Sequence, residues 1–258
     1  MTEQVSPSRS TALFVAHPGH ELRLYGWTRR EKPICMVLTT GSRSGSDTAR
    51  LQASSDLLTT LGGRPSELFG AVLDRDLYAA VLAGDTKPFQ KWKATVVDVL
   101  IRNRPELLVI DGWQLYSVAH DLAHVIGRLA AEEASRKLGY PVHVLQYDVV
   151  PPALAGGVQS GSRARFITLS KSELADKLAA VENYPGIDLE LIELREIEGE
   201  YHAITESLFL PPPLEDLTEP PREPPKYEIY GEARRSSGIY TDVIRWHHVE
   251  TIISQLIG

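Results

Sequence analysis

Three short stretches of the chain hold nothing but apolar side chains: Ala12-Leu13-Phe14-Val15-Ala16, Ile34-Cys35-Met36-Val37-Leu38 and Leu107-Leu108-Val109-Ile110. A run of that length without polar alternation suits a strand covered on both faces, as in the interior of a parallel sheet. The segments between them have helical spacing. Apolar residues recur through Thr48–Leu61, which Gly62-Gly63 stops. Thr86–Arg102 carries Phe89, Trp92, Val96, Val99 and Leu100 on one stripe. A third helix runs from Val125 to Leu138 and stops at Gly139, while Leu68–Val72 and Val142–Tyr147 add strand candidates. Strands alternating with helices predict an α/β fold, a mostly parallel sheet with helices on both faces.

Beyond Pro151 the pattern weakens. Ala164–Leu169 reads as a strand, Lys171–Asn183 as a helix capped by Ser170 or Ser172, and Glu200–Leu208 as another helix. Pro211–Pro225 is rich in proline and acidic residues and predicts an extended surface linker. The expected organisation is a frayed arm over 1–10, one α/β catalytic-type domain over 11–210, the linker over 211–225, and a tail over 226–258 that packs on the same domain with a last helix near His247–Leu256. The formal net charge of −7 provides no basic field for nucleic acid. No apolar run is long enough for a membrane span, and residues 1–10 lack the apolar core of a signal peptide. The lone cysteine, Cys35, lies inside an apolar run, which suits a buried, inert thiol and excludes an intrachain disulfide framework. The expected compartment is the cytoplasm.

The first apolar run ends abruptly in His17-Pro18-Gly19-His20-Glu21. Proline holds the residue before it extended and glycine permits a tight turn. Two imidazoles and a carboxylate are thereby placed at the C-terminal end of a strand, where open α/β sheets bind ligands. A second polar group, His120-Asp121-Leu122-Ala123-His124, follows the run Leu107–Ile110. His17, His20 and His124 would supply three imidazoles from two strand ends. Such a set leaves a fourth tetrahedral position for water or substrate, and water bound there reaches a pKa of about 7. The plain alternative, three satisfied structural histidines, stays open.

Ala16-His17-Pro18-Gly19-His20-Glu21 fits the sequence Ala-His-Pro-Asp-Asp-Glu in four of six places, and Asp121-Leu122-Ala123-His124 fits His-Pro-Asp-His in its final histidine. On these residues the chain resembles the PIG-L/LmbE-like family of zinc-dependent N-acetyl-sugar deacetylases. Thr39-Thr40-Gly41-Ser42 and Tyr227-Glu228-Ile229-Tyr230-Gly231-Glu232 extend the likeness along the chain. The resemblance implies a Rossmann-like three-layer sandwich and Zn2+ or another divalent transition metal. It places ligands at His17, His20 and His124 and puts Glu21 behind them to orient a ligand. Gly19 stands where the family has its general base, and glycine accepts no proton. Asp121 is the first replacement considered and His120 the second; the alternatives are a helix cap for Asp121 and an exposed loop position for His120. Arg43 and Arg50 are candidates for holding an anionic or hydroxyl group of a substrate. The implied activity is deacetylation of an N-acylated amino sugar or glycoconjugate. The alternative is a relative that lost the base and binds a sugar or nucleotide-sugar without cleaving it. The expected partner is a small-molecule or glycan substrate, with homo-oligomerisation left open.

Overall fold

The computed structural model describes residues 10–41, 48–152, 154–155, 161–186 and 204–258. The expected N-terminal arm and Arg43 fall almost wholly or wholly outside them. Seven strands form one sheet: β1 (Thr11–Val15), β2 (Ile34–Thr39), β3 (Arg64–Val72), β4 (Leu107–Asp111), β5 (His143–Tyr147), β6 (Arg163–Thr168) and β7 (Thr205–Phe209). Their order is β3-β2-β1-β4-β5-β7-β6. The first five are parallel, and β7 runs antiparallel to both β5 and β6. The α-helices among the described residues are α1 (Tyr25–Glu31), α2 (Ala49–Thr60), α3 (Asp74–Leu82), α4 (Lys87–Asn103), α5 (Val118–Leu138), α6 (Lys171–Glu182), α7 (Lys226–Ser236) and α8 (Trp246–Ile257). The fold is a Rossmann-like α/β sandwich.

Two cores explain why the apolar runs have no polar alternation. Successive strand residues point to opposite faces. Ala12, Phe14, Met36 and Ile110 enter one core with Phe89, Val96, Ile126 and Ile252. Leu13, Val15, Cys35 and Val109 enter the other with Trp27 and Leu58. Every position of β1, β2 and β4 is therefore buried.

Three local expectations are corrected. Thr205–Phe209 is a strand and not part of a helix over Glu200–Leu208. Its burial alternates with period two, Glu206 and Leu208 inward, a strand signature. The helix after β4 starts at Val118, well before Val125, because Ser117 is still extended and the backbone turns helical directly after it. Pro211–Pro225 is not extended throughout: a short 3-10 turn, Glu215–Thr218, buries Leu217 in the core beside Ile253. Among the described residues no helix is long and apolar enough to cross a membrane.

Glu206 ties the antiparallel edge to the parallel part. Its carboxylate accepts from the backbone N–H groups of Gly26 at 2.9 Å and Trp27 at 2.8 Å, at the start of α1. Lys177 Nζ of α6 lies 2.9 Å away, and both side chains are almost completely buried. Lys177→Met leaves that carboxylate buried without its cation and is expected to cost about 3–5 kcal/mol. Urea unfolding checks this; a loss below about 1 kcal/mol would show that the two backbone donors suffice.

Candidate functional site

The strand order reverses at β1, which lies between β2 and β4. At such a switch point the two connections leave in opposite directions and open a crevice at the C-terminal strand ends. The turn after β1 brings His17 and His20 there. Thr39 ends β2, Asp74 opens α3, Asp111 ends β4, and His120 stands in the first turn of α5. Gly19 has φ 103°, a left-handed conformation that side chains rarely adopt, and it starts a short 3-10 turn over His20–Leu24. Buried Glu21 accepts from Gly19 N at 2.9 Å and takes a short hydrogen bond from Ser54 Oγ, which lies 2.6 Å from Tyr184 OH. Burial pushes the Glu21 carboxyl up, with Ser54 and backbone donors opposing it. Glu21 therefore holds the backbone of the turn that carries both imidazoles.

The rings of His17, His20 and His120 form a triangle, with centroids 5.3 Å (17–20), 5.2 Å (17–120) and 4.6 Å (20–120) apart. Imidazoles bound to one tetrahedral ion at about 2.0–2.1 Å would have centroids about 5 Å apart. His17 Nδ1 lies 2.7 Å from Thr39 Oγ1 and 3.2 Å from Asp74 Oδ1, and Thr39 Oγ1 donates to that same oxygen at 3.2 Å. His20 Nδ1 lies 3.0 Å from Asp111 Oδ2. With Nδ1 as the donor in each pair, each Nε2 keeps its lone pair, the way carboxylates and hydroxyls orient ligating histidines. His120 Nδ1 is buried without a partner. Burial pulls His17 well below the usual imidazole range, and the neighbouring His120, His20 and Arg50 add to it. Burial, then His20, brings His120 down to about 3. Both are neutral at pH 7, as metal ligation requires. The donor chemistry fits a divalent ion of zinc's kind. The donors are not closed around one point: among the described residues no group of three or more His, Cys, Asp and Glu is set to hold an ion.

Asp111 is the polar centre of this end of the sheet. Fully buried, it accepts from Ala16 N at 2.8 Å and Tyr147 OH at 2.7 Å as well as facing His20. Burial alone would push its carboxyl up; His20, His120 and the Ala16 N–H outweigh it and hold the group low.

The other expected residues take different places. His124 lies one turn further along α5, completely buried, its Nδ1 2.9 Å from the Asp111 carbonyl oxygen and its ring 6.0 Å from Trp113. It does not line the cavity into which the three rings open. Asp121 is equally buried and points back along the chain, where Oδ1 accepts from Gln114 N at 3.1 Å and Leu115 N at 3.2 Å. Burial pushes it up to about 8, and it too lies off the cavity. It clamps the turn before α5, while His120 is a buried wall residue and not an exposed loop position. Arg50 reaches the Pro18 carbonyl at 2.8 Å and the Gly41 carbonyl at 3.3 Å, stapling the two turns together at the cavity wall. Asp74 and Asp111 were not among the sequence candidates, and Thr39 entered only within the stretch Thr39–Ser42 that carries part of the likeness, with no role of its own. The signal for Asp74 and Asp111 was position: each stands at or just beyond the C-terminal end of a parallel strand.

No family model matches the chain, and no curated protein sequence does. Solved structures do. A conserved protein of Thermus thermophilus is 17% identical with a TM-score of 0.51, covering 80% of this chain and 95% of its own. The 4-carboxy-2-hydroxymuconate hydratase of Pseudomonas putida is 16% identical at a TM-score of 0.50, covering 78% and 95%. The zinc-inhibited form of teicoplanin deacetylase is 11% identical at 0.48, covering 78% and 97%. The first two likenesses establish a shared fold.

Proposed function

We propose that the chain is a metal-dependent amidohydrolase that removes an acyl group from an N-acylated amino sugar or glycoconjugate, with His17, His20 and His120 holding a divalent ion, zinc first among the candidates. The observation that carries this reading is the triangle of three imidazoles at the switch point, two of them anchored through Nδ1. His120 takes the place first given to His124. In the frame Ser117-Val118-Ala119-His120, the histidine that ends the second motif falls in the first turn of α5. The chemistry such an ion supplies when bound is Lewis-acid activation of water and of an amide carbonyl. The chain's own part is orientation. Thr39 with Asp74 fixes the ring of His17, Asp111 fixes that of His20, and burial keeps His17 and His120 neutral.

Asp121 is a turn clamp in this reading, so Asp121→Asn, which keeps both acceptor bonds, is expected to hold turnover within about threefold. Asp74→Ala, which removes the carboxylate that Thr39 and the His17 ring both face, is expected to lower metal affinity or activity about 10- to 100-fold. Metal titration and acyl-release rates of the two variants check this; the reverse ranking would restore Asp121 as the base.

One observation favours a second reading, a site that binds the glycoconjugate and leaves it intact: Gly19 occupies the general base's position in a backbone conformation that favours glycine. The deciding experiment incubates metal-loaded protein with N-acetylhexosamines and their alkyl glycosides and measures free amine. Release by the natural chain supports hydrolysis. Binding without release, with release appearing in Gly19→Asp, supports the second reading. That variant carries about 1–2 kcal/mol of backbone strain, so its melting temperature is read alongside.

A further inference from the structure

Pro18 and Gly19, the two residues between the imidazoles of His17 and His20, are both tied to α2. Arg50 reaches the Pro18 carbonyl at 2.8 Å. The Gly19 N–H faces Glu21 Oε2 at 2.9 Å and Ser54 Oγ at 3.1 Å, and Ser54 donates to the other oxygen of Glu21. Arg50 and Ser54 stand one turn apart on α2, and a single group meets both. The Tyr184 hydroxyl lies 2.6 Å from Ser54 Oγ and 2.9 Å from the Arg50 carbonyl oxygen.

Tyr184 comes from outside the parallel part of the sheet. It follows α6, between the antiparallel strands β6 and β7, and is separated from Ser54 by 130 positions of sequence. Its side chain is buried with Leu22 and Val181 in a small core of their own, and it does not line the cavity. Phenylalanine would fill that apolar core as well. What the hydroxyl adds is direction, because a satisfied buried polar network holds its members in one arrangement.

We propose that Tyr184 is a positioning residue for the metal-binding turn: its hydroxyl sets Ser54 and Arg50, these set Gly19 and Pro18, and the His17 and His20 rings follow. The ion rests on the hydrolase reading above; the ordering of the turn does not. The test compares Tyr184→Phe and Ser54→Ala with the natural full chain, first metal-free and then under cobalt(II) titration. In the metal-free chain, amide exchange at Gly19 is expected to quicken about tenfold in both variants, the worth of one buried hydrogen bond. The ring-nitrogen NMR signals of His17 and His20 are expected to shift while those of His247 and His248 stay in place. Cobalt affinity is expected to fall about tenfold in each variant. Both act through one network, so the double variant is expected to lose less than the roughly hundredfold of independent effects. A tyrosine that only fills the core would lower the melting temperature and leave Gly19 exchange, the rings and cobalt affinity unaltered. That result, or losses that multiply in full in the double variant, overturns the proposal. A loosened turn in protein that takes up no cobalt upholds the role of Tyr184 and counts against the hydrolase reading alone. Cobalt uptake by all the variants alike, with Gly19 exchange unchanged, does the reverse.

Discussion

His120→Ala is expected to lose the bound metal and, with it, turnover by on the order of a thousandfold or more, whereas His124→Ala keeps the metal and loses stability. The two residues stand four apart on α5, so both lie on one face of the helix. Their surroundings separate them. His120 closes the ring triangle and lines the cavity. His124 is wholly enclosed one turn further on, tied to the Asp111 carbonyl and set against Trp113. Truncating it removes a buried ring and leaves that carbonyl short of a donor, a loss of about 2–4 kcal/mol. Elemental analysis after dialysis, paired with urea unfolding, reads both effects. Metal lost from His124→Ala and kept by His120→Ala would return the second motif to Asp121–His124.

Asp111→Ala is expected to cost about 3–5 kcal/mol of stability. The carboxylate is fully buried and takes three donors from three elements: Ala16 N after β1, Tyr147 OH from β5 and His20 Nδ1. Removing it leaves the buried Ala16 N–H without its acceptor and unties Tyr147 and His20, and networks of this kind lose more than the sum of their pairs. Asp111→Asn keeps the shape but cannot accept at both oxygens. It is expected to remain folded and to bind metal about 10- to 100-fold more weakly, because His20 loses its carboxylate. Tyr147→Phe, which removes one donor, is expected to cost no more than about 1.5 kcal/mol. Chemical unfolding with metal titration orders the three variants. An alanine variant within about 1 kcal/mol of the natural chain would show that the network is not needed.

The parallel sheet was legible because it has helices on both faces, which forces its strands to be apolar without interruption. β1, β2 and β4 carry that mark and β7 does not. With one partner on each side and Glu206 clamped inward, β7 alternates over five residues, too short a span to outweigh a helical reading of Glu200–Leu208. The turn His17–Glu21 was legible because proline, glycine and two imidazoles at a strand end have few structural uses. The choice between His120 and His124 was not. It depends on where α5 begins, which Ser117's extended backbone decides, and helical spacing is blind to which turn faces the crevice. Asp74 was hidden for a similar reason: an acidic residue opening a helix is ordinary, and its link to His17 joins segments far apart in the chain. Asp111 acquires its partners only when β1 and β5 are laid beside β4. Arg50 was noticed as a cation, yet its bonds go to two backbone carbonyls, which no side-chain pattern records.

Cobalt(II) titration of the metal-free chain, followed by its visible absorption, bears most directly on the claim that His17, His20 and His120 share one ion. One equivalent is expected to bind with the intense bands of a tetrahedral site, bands that disappear in His17→Ala, His20→Ala and His120→Ala and persist in His124→Ala. No uptake, the weak spectrum of the hydrated ion, or a tetrahedral spectrum indifferent to His120 would contradict it.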